Sequence, residues 1–244
     1  SKTLAFGDSR DKLENLGFNF ASTASPGGSG ALYLAANNFL DPGDNVLLRD
    51  RYWGPYKGFL ENNKLGFVTW PLLPPEANDE HPYFAKEEFS SQLEELVKTQ
   101  KKVMVWLNDP AHNPTGLSMS EQGRIACLET FVDSALNNEN VGHTLLIDSA
   151  YSLYADEPFA WADTILNEIE NGMMWPDNLL ICVAVSLSKS HTIYGLRTGA
   201  LVSMHPEKEV TDRLDTVMSV TGRQTWSATP VSYTHLRAHE TRYD

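Results

Sequence analysis

Short, continuously apolar segments alternate along the chain with longer segments in which apolar residues recur at helical spacing. The first kind has the length of buried β-strands and the second the period of amphipathic helices. Strands are predicted at 46–48, 67–70, 103–107, 144–147, 179–185 and 200–203. Helices are predicted at 31–40, 56–63, 86–100, 120–137, 161–171 and 207–220. Strands that are apolar on both sides need cover on both faces, so the pattern predicts an α/β fold with a mostly parallel sheet between two helical layers.

Composition and charge narrow the functional classes. The 244 residues suffice for one large domain or two small ones. The net charge of −13 argues against nucleic acid and anionic membranes as partners, although a local cationic pocket can still bind an anion. No stretch reaches the roughly 20 apolar residues of a membrane helix, and the start does not resemble a signal peptide, so we expect a cytoplasmic location. Cys127 and Cys182 lie in apolar segments and are expected to be buried thiols.

One lysine stands where chemistry is expected. Lys189 ends the run Ser186-Leu187-Ser188-Lys189 directly after the apolar stretch 179–185, and Arg197 follows eight residues later. A lysine at a strand end can act as a Schiff-base amine in an electropositive, desolvated setting. The serines and the arginine suit a phosphate group beside it. Taken alone, Lys189 could equally be an ordinary surface residue.

Two turn sequences are compatible with ligand binding. Gly28 and Ser29 precede the predicted helix 31–40, where free backbone amides favour an anion, although most glycine-rich turns only connect elements. Asn113 lies in the run 108–116 after the predicted strand 103–107, at the end of a parallel strand where α/β sheets bind ligands. Asn-Pro and Thr-Gly are also ordinary turn formers.

Two further positions carry polar or planar groups. Asp148 ends the predicted strand 144–147, with Tyr151 three residues later. A carboxylate buried there needs a cation such as a protonated pyridine nitrogen, unless it caps a helix. Trp53 follows the strand 46–48 and could stack on a planar ring or pack in the core.

In this order and spacing, the motifs resemble the pyridoxal-phosphate-dependent aminotransferases of class I/II, the fold-type-I family that includes aspartate and aromatic aminotransferases. The resemblance covers about 21–230. It implies a three-layer α/β/α domain with a mostly parallel, mixed sheet, and pyridoxal 5′-phosphate as cofactor. It also implies a cis peptide bond between Asn113 and Pro114. No metal site is predicted.

The resemblance also implies roles for individual residues. Lys189 would form the Schiff base and shuttle a proton, and Asp148 would pair with the pyridine nitrogen. Asn113 and Tyr151 would hydrogen-bond the ring's 3-oxygen, and Trp53 would stack on the ring. The phosphate would be held by Gly28, Ser29, Ser186 and Arg197.

The chain departs from the family in length. Family members are longer, so we expect residues 1–230 to be an incomplete cofactor-binding domain, without the family's amino-terminal segment and small carboxyl-terminal domain. The intact parent is expected to be a homodimer. Residues 231–244 form a polar run without periodicity and are predicted to be a disordered or foreign tail.

Substrate preference depends on one weaker match. Arg223 stands three residues before a Trp-Ser pair, where aspartate-type relatives place an arginine that contacts a dicarboxylic substrate across the dimer; it could equally face solvent. The resemblance, including Trp53 and Asn113 near the substrate, predicts amino-group transfer from an aspartate-type or aromatic amino acid to a 2-oxoacid such as 2-oxoglutarate. A carbon–sulfur lyase or decarboxylase on the same scaffold, or a non-catalytic cofactor-binding fragment, remains open.

Overall fold

A seven-stranded sheet forms the centre of the computed structural model, which describes residues 1–76 and 82–228. Its order is β1-β7-β6-β5-β4-β2-β3. The strands are β1 (Asn19–Pro26), β2 (Asn45–Arg49), β3 (Gly66–Trp70), β4 (Lys102–Asn108), β5 (Gly142–Asp148), β6 (Leu179–Ser186) and β7 (Thr198–His205). β7 runs antiparallel to both of its neighbours, and the remaining pairs are parallel. The predicted mostly parallel, mixed sheet is therefore confirmed.

Helices cover both faces of this sheet. They are α1 (Lys2–Phe6), α2 (Ser9–Asn15), α3 (Gly27–Phe39), α4 (Tyr56–Asn62), α5 (Lys86–Thr99), α6 (Glu121–Asn137), α7 (Ala160–Glu170), α8 (Leu187–Ser190) and α9 (Lys208–Thr225). One core cluster joins the sheet to α1, α2, α5, α6 and α7, and the other joins it to α3, α4 and α9. The three-layer α/β/α architecture follows from these two clusters.

The central strand β4 shows why the apolar runs are continuous. Val103, Val105 and Leu107 belong to one core cluster, and Met104 and Trp106 belong to the other. Successive side chains of a strand point to opposite faces, so a strand buried on both faces has no polar side. The predicted strands and helices are present, with ends shifted by up to five residues.

The sequence interpretation missed the beginning of the fold. It contained neither α1 and α2 nor β1, and it began α3 at residue 31 instead of Gly27. Glycine disfavours helix interiors, so a run of glycines reads as a turn. Here a side chain at Gly28 would place its Cβ 3.0 Å from Cβ of Ser186. Close packing of the first turn of α3 against β6 therefore explains why glycine stands at the start of this helix.

The remaining expectations about the chain concern its thiols, membrane helices and tail. Cys127 and Cys182 are free and buried, as predicted, and burial raises the pKa of each thiol to about 12. Among the described helices, none is both long and apolar enough to span a membrane. The predicted tail 231–244 and the domain boundary at 230 lie outside the described residues, so they stay predictions.

Candidate active site

Three parallel strands end side by side and bring polar side chains to one edge of the sheet. Asn108 of β4 pairs in register with Asp148 of β5, and Ser186 ends β6 next to them. These ends, α8 and the first turn of α3 enclose a cavity of about 200 Å³. It is lined by Gly28, Ser29, Leu32, Trp53, Asn108, Asn113, Asp148, Ala150, Tyr151, Ser186, Ser188, Lys189, Tyr194 and Arg197.

Asp148 is a buried carboxylate on the wall of this cavity. Its side chain accepts a hydrogen bond from the Tyr56 hydroxyl at 2.6 Å and one from the backbone N–H of Ala150 at 3.1 Å. Burial raises the pKa of Asp148, and these two hydrogen bonds partly oppose that rise. Within the described residues, no lysine, arginine or histidine forms an ion pair with it. The predicted cation partner is therefore not supplied by a described side chain.

Tyr56 is a residue that the sequence interpretation did not assign to the site. It is 2% exposed, at the start of α4, and its ring packs edge-on between Trp53 and Trp106 at 5.6 and 5.1 Å. Burial and the nearby Asp148 carboxylate raise the pKa of Tyr56 well above its usual value, so the hydroxyl stays a donor. The sequence signal for it was a tyrosine three residues after Trp53.

The loop after β4 places Asn113 at the cavity. The side chain of Asn108 donates to the Asp148 carbonyl at 2.8 Å and accepts from the Asn113 backbone N–H at 2.6 Å. Among the described residues, none hydrogen-bonds the side-chain amide of Asn113. Burial lowers the pKa of His112 to about 4, so its ring is neutral at physiological pH and lies 2.8 Å from the Thr115 hydroxyl. The expected cis peptide bond before Pro114 is present.

Lys189 lies between two tyrosine rings. Its Nζ is 4.7 Å from the ring centre of Tyr194 and 5.9 Å from that of Tyr151. The guanidinium of Arg197 is 5.3 Å from the same Tyr194 ring. Aromatic faces attract cations at these distances, so Tyr194 holds the two positive groups at the cavity. The sequence interpretation did not include Tyr194.

The part of the cavity around Arg197 has the features of an anion site. Arg197 donates to the Ser188 hydroxyl at 3.2 Å and to the Pro26 carbonyl at 3.3 Å. Gly27 adopts φ +74°, and a Cβ there would come within 2.7 Å of the Arg197 guanidinium. Backbone amides in the first turn of a helix lack intrahelical partners. The guanidinium and these amides at the start of α3 therefore suit a phosphate or carboxylate.

Nine of the ten predicted site residues line this one cavity. They are Gly28, Ser29, Trp53, Asn113, Asp148, Tyr151, Ser186, Lys189 and Arg197. The tenth, Arg223, is exposed on α9 and does not line it. In the described part of the chain, no group of three or more His, Cys, Asp or Glu side chains could hold a metal ion.

A larger groove of about 840 Å³ lies elsewhere, along α5, α6 and the end of α7. Its charged lining consists of Lys86 and the acidic residues Glu94, Glu129, Asp133 and Glu168. An acidic, open groove suits neither a phosphate nor a nucleophilic amine. The chemistry of the smaller cavity therefore identifies it as the candidate site, despite its size.

Comparison with known proteins gives a family and several relatives. The family model "Aminotransferase class I and II" matches residues 14–241. The chain is 27% identical over 219 residues to the aromatic-amino-acid aminotransferase of Paracoccus denitrificans, covering 86% of this chain and 49% of the relative. It is 24% identical over 220 residues to the cytoplasmic aspartate aminotransferase of Schizosaccharomyces pombe, covering 86% and 48%. The chain thus spans about half the length of these curated relatives.

Solved structures give the same result. An aminotransferase of Anaerococcus prevotii is similar with a TM-score of 0.78 and 28% identity, over 87% of this chain and 49% of that one. An aromatic-amino-acid aminotransferase of Burkholderia pseudomallei, solved covalently bound to pyridoxal phosphate, has a TM-score of 0.67 and 22% identity, over 93% and 52%. The second likeness concerns the fold alone.

Proposed function

Because the chain belongs to the family of class I and II aminotransferases, we propose that it forms the pyridoxal-phosphate site of a transaminase. The enzyme would move an amino group from an aspartate-type or aromatic L-amino acid to a 2-oxoacid such as 2-oxoglutarate. The named relatives support both amino-acid classes. The two free buried thiols and the acidic chain are compatible with the cytoplasm as its location.

The lining of the cavity fits both charged groups of this cofactor. Arg197 and the first turn of α3 suit a dianionic phosphate. The buried Asp148 carboxylate lacks a described cationic partner and suits a protonated pyridine nitrogen. The unpaired carboxylate supports the proposal most strongly, because a buried charge without a counter-ion is costly.

Other residues of the lining would orient the ring. Trp53 would pack on its face, and the side chains of Asn113 and Tyr151 would hydrogen-bond its 3-oxygen. Gly28, Ser29 and Ser186 would hold the phosphate with Arg197. When bound, the cofactor supplies an electron sink for the substrate's α-carbon.

Two side chains would transfer the substrate's proton and keep the ring nitrogen protonated. Lys189 would use its Nζ for the covalent link, and then to move a proton to and from the substrate's α-carbon. Asp148 would keep the pyridine nitrogen protonated through its buried carboxylate. The Tyr194 ring, 4.7 Å from Nζ, would keep the amine at the cavity before the link forms.

The covalent link can be tested without turnover. The chain is incubated with pyridoxal phosphate, reduced with borohydride, digested and analysed by mass spectrometry. We expect the reduced cofactor on the peptide containing Lys189, no label on that peptide in Lys189→Ala, and unchanged labelling in Lys86→Ala. Lys86 lines the other groove and is the matched control. Label distributed over many lysines, with no preference for Lys189, would contradict the proposal.

Substrate and partner are tested separately. Arg223 is exposed and outside this chain's own cavity, so we propose that it acts on a dicarboxylic substrate only across a homodimer. Arg223→Ala should raise KM for aspartate more than KM for an aromatic amino acid. Release of pyruvate and ammonia without an oxoacid acceptor would instead indicate a carbon–sulfur lyase.

A further inference from the structure

Tyr56 contacts the site without lining the cavity. Its hydroxyl lies 2.6 Å from Asp148 Oδ2, and its ring is enclosed by Trp53 and Trp106. The phenol therefore has one polar partner among the described residues, and that partner is the carboxylate assigned to the cofactor ring. A buried tyrosine whose hydroxyl donates its hydrogen bond to another buried polar group can affect a bound ligand through that group.

We propose that Tyr56 is a positioning residue that keeps a proton on the cofactor's ring nitrogen, by donating its hydrogen bond to Asp148. This inference rests on the proposed function. The proton is shared between two bases, the ring nitrogen and the Asp148 carboxylate. A donor on the carboxylate stabilises its charged form and weakens it as a base, so the proton stays on nitrogen.

The surrounding contacts leave the carboxylate little freedom. Oδ2 accepts from Tyr56, Oδ1 accepts from the Ala150 backbone, and the Asp148 carbonyl accepts from Asn108. With both oxygens held, the remaining lone pairs have fixed directions. Loss of the Tyr56 hydroxyl leaves Oδ2 without a donor, so the carboxylate can rotate and becomes more basic. Burial also makes the carboxylate more basic, because it favours the protonated form and raises the pKa of Asp148.

Other ionisable groups around the cavity do not change between the proposed variants. The titratable and charged side chains that line it, besides Asp148, are Tyr151, Lys189, Tyr194 and Arg197. Among the described residues, Tyr56 is the ionisable side chain that hydrogen-bonds Asp148. A difference between wild type and a Tyr56 variant therefore reports on this hydrogen bond.

The test uses Tyr56→Phe with pyridoxal phosphate labelled with ¹⁵N in the ring. Tyr33→Phe is the matched control, because Tyr33 lies on α3 against Trp226 and does not line the cavity. In wild type and control we expect the ¹⁵N chemical shift of a protonated ring. In Tyr56→Phe the shift should move towards the unprotonated value, and the affinity for the cofactor should fall about tenfold, the size of one hydrogen bond to a charged group.

A cofactor analogue separates positioning from general damage. In 1-deazapyridoxal phosphate a carbon replaces the ring nitrogen, so Tyr56→Phe should bind it as well as wild type does. An equal loss of affinity for both cofactors, or a ¹⁵N shift identical to wild type, would overturn the inference. If wild type itself forms no link at Lys189, the proposed function fails as well. If wild type links the cofactor and the Tyr56→Phe shift is unchanged, this inference alone fails.

A second variant covers the case in which Tyr56→Phe does not fold. Replacing Tyr56 with 3-fluorotyrosine keeps the ring and makes the hydroxyl a stronger donor. The pH below which cofactor affinity declines should then move down, because Asp148 stays ionised to lower pH. An unchanged or raised pH would contradict the inference.

Discussion

Replacing Asp148 with asparagine should stabilise the cofactor-free chain. The same change should remove the proposed ion pair between this position and the protonated ring of the cofactor. Asp148 is 4% exposed and has no described ion-pair partner. Asparagine has the same shape and no charge. Its oxygen can accept from the Ala150 N–H, and its amide N–H can donate to the Tyr56 hydroxyl oxygen. The direction of that second hydrogen bond is then reversed, so the buried charge is removed and the Tyr56 O–H is left without a described acceptor.

The expected net gain is about 1–2 kcal/mol in the free energy of unfolding at pH 7.5, because the desolvation penalty of an unpaired buried carboxylate, several kcal/mol, exceeds the roughly 1–3 kcal/mol that an unpaired hydroxyl donor costs. Burial raises the pKa of Asp148 in the native state. The contribution of its protonated form is therefore complete below an ordinary aspartate pKa, and it is lost as pH rises through the raised native value. Asp148→Asn has no proton to lose there, so its advantage should grow with pH over this window.

Urea unfolding of wild type and Asp148→Asn at several pH values measures the difference in unfolding free energy between the two proteins. Asp133→Asn is the control, because Asp133 is exposed on α6 and its replacement changes the net charge equally. Saturating pyridoxal phosphate should reverse the order and make wild type the more stable protein. A destabilised Asp148→Asn chain, or a gap that does not vary with pH, would refute the reasoning.

Three further outcomes follow from the packing. Gly199→Ala should lower the melting temperature and the cofactor affinity, since its Cβ would lie 2.4 Å from the backbone of α3; Gly54→Ala, with open space around it, should change neither. Ser120→Ala should reduce the unfolding free energy by about 1 kcal/mol, because the Ser120 hydroxyl accepts the Gly123 N–H at the start of α6; denaturant titration checks this. Both buried thiols should react with a thiol reagent only after unfolding, as a pKa of about 12 and full burial leave almost no accessible thiolate; rapid labelling of the native chain would contradict this.

Local patterns are sufficient wherever a strand is buried on both faces or a motif directly follows such a strand. β4, β5 and β6 are visible as apolar runs; Asp148 directly follows the run in β5, and Lys189 follows the run in β6 after three residues. The sequence alone therefore predicts that these two residues lie at one edge of the sheet. The fold then brings the predicted site residues, except Arg223, together in one cavity.

Features that depend on distant contacts are not predictable in the same way. β1 is polar in half of its positions and pairs with β7 along one edge of the sheet only, so it has no apolar run. The partner of Tyr56 is 92 positions away in sequence, and nothing near Tyr56 indicates it. The need for glycine at these positions likewise depends on distant residues, since Gly27 has φ +74° with Arg197 beside it, and a Cβ at Gly28 would meet Ser186.

The pairing of β1 with β7 has a consequence for synthesis of the chain. Pro26 lies opposite Thr198, so this antiparallel pair brings the first turn of α3, proposed above to bind the phosphate, next to Arg197. A nascent polypeptide that has emerged from the ribosome only as far as the end of β6 contains the first turn of α3 and Ser186 but not yet Arg197. Phosphate affinity should therefore arise late in translation, after the seventh strand has added to the sheet.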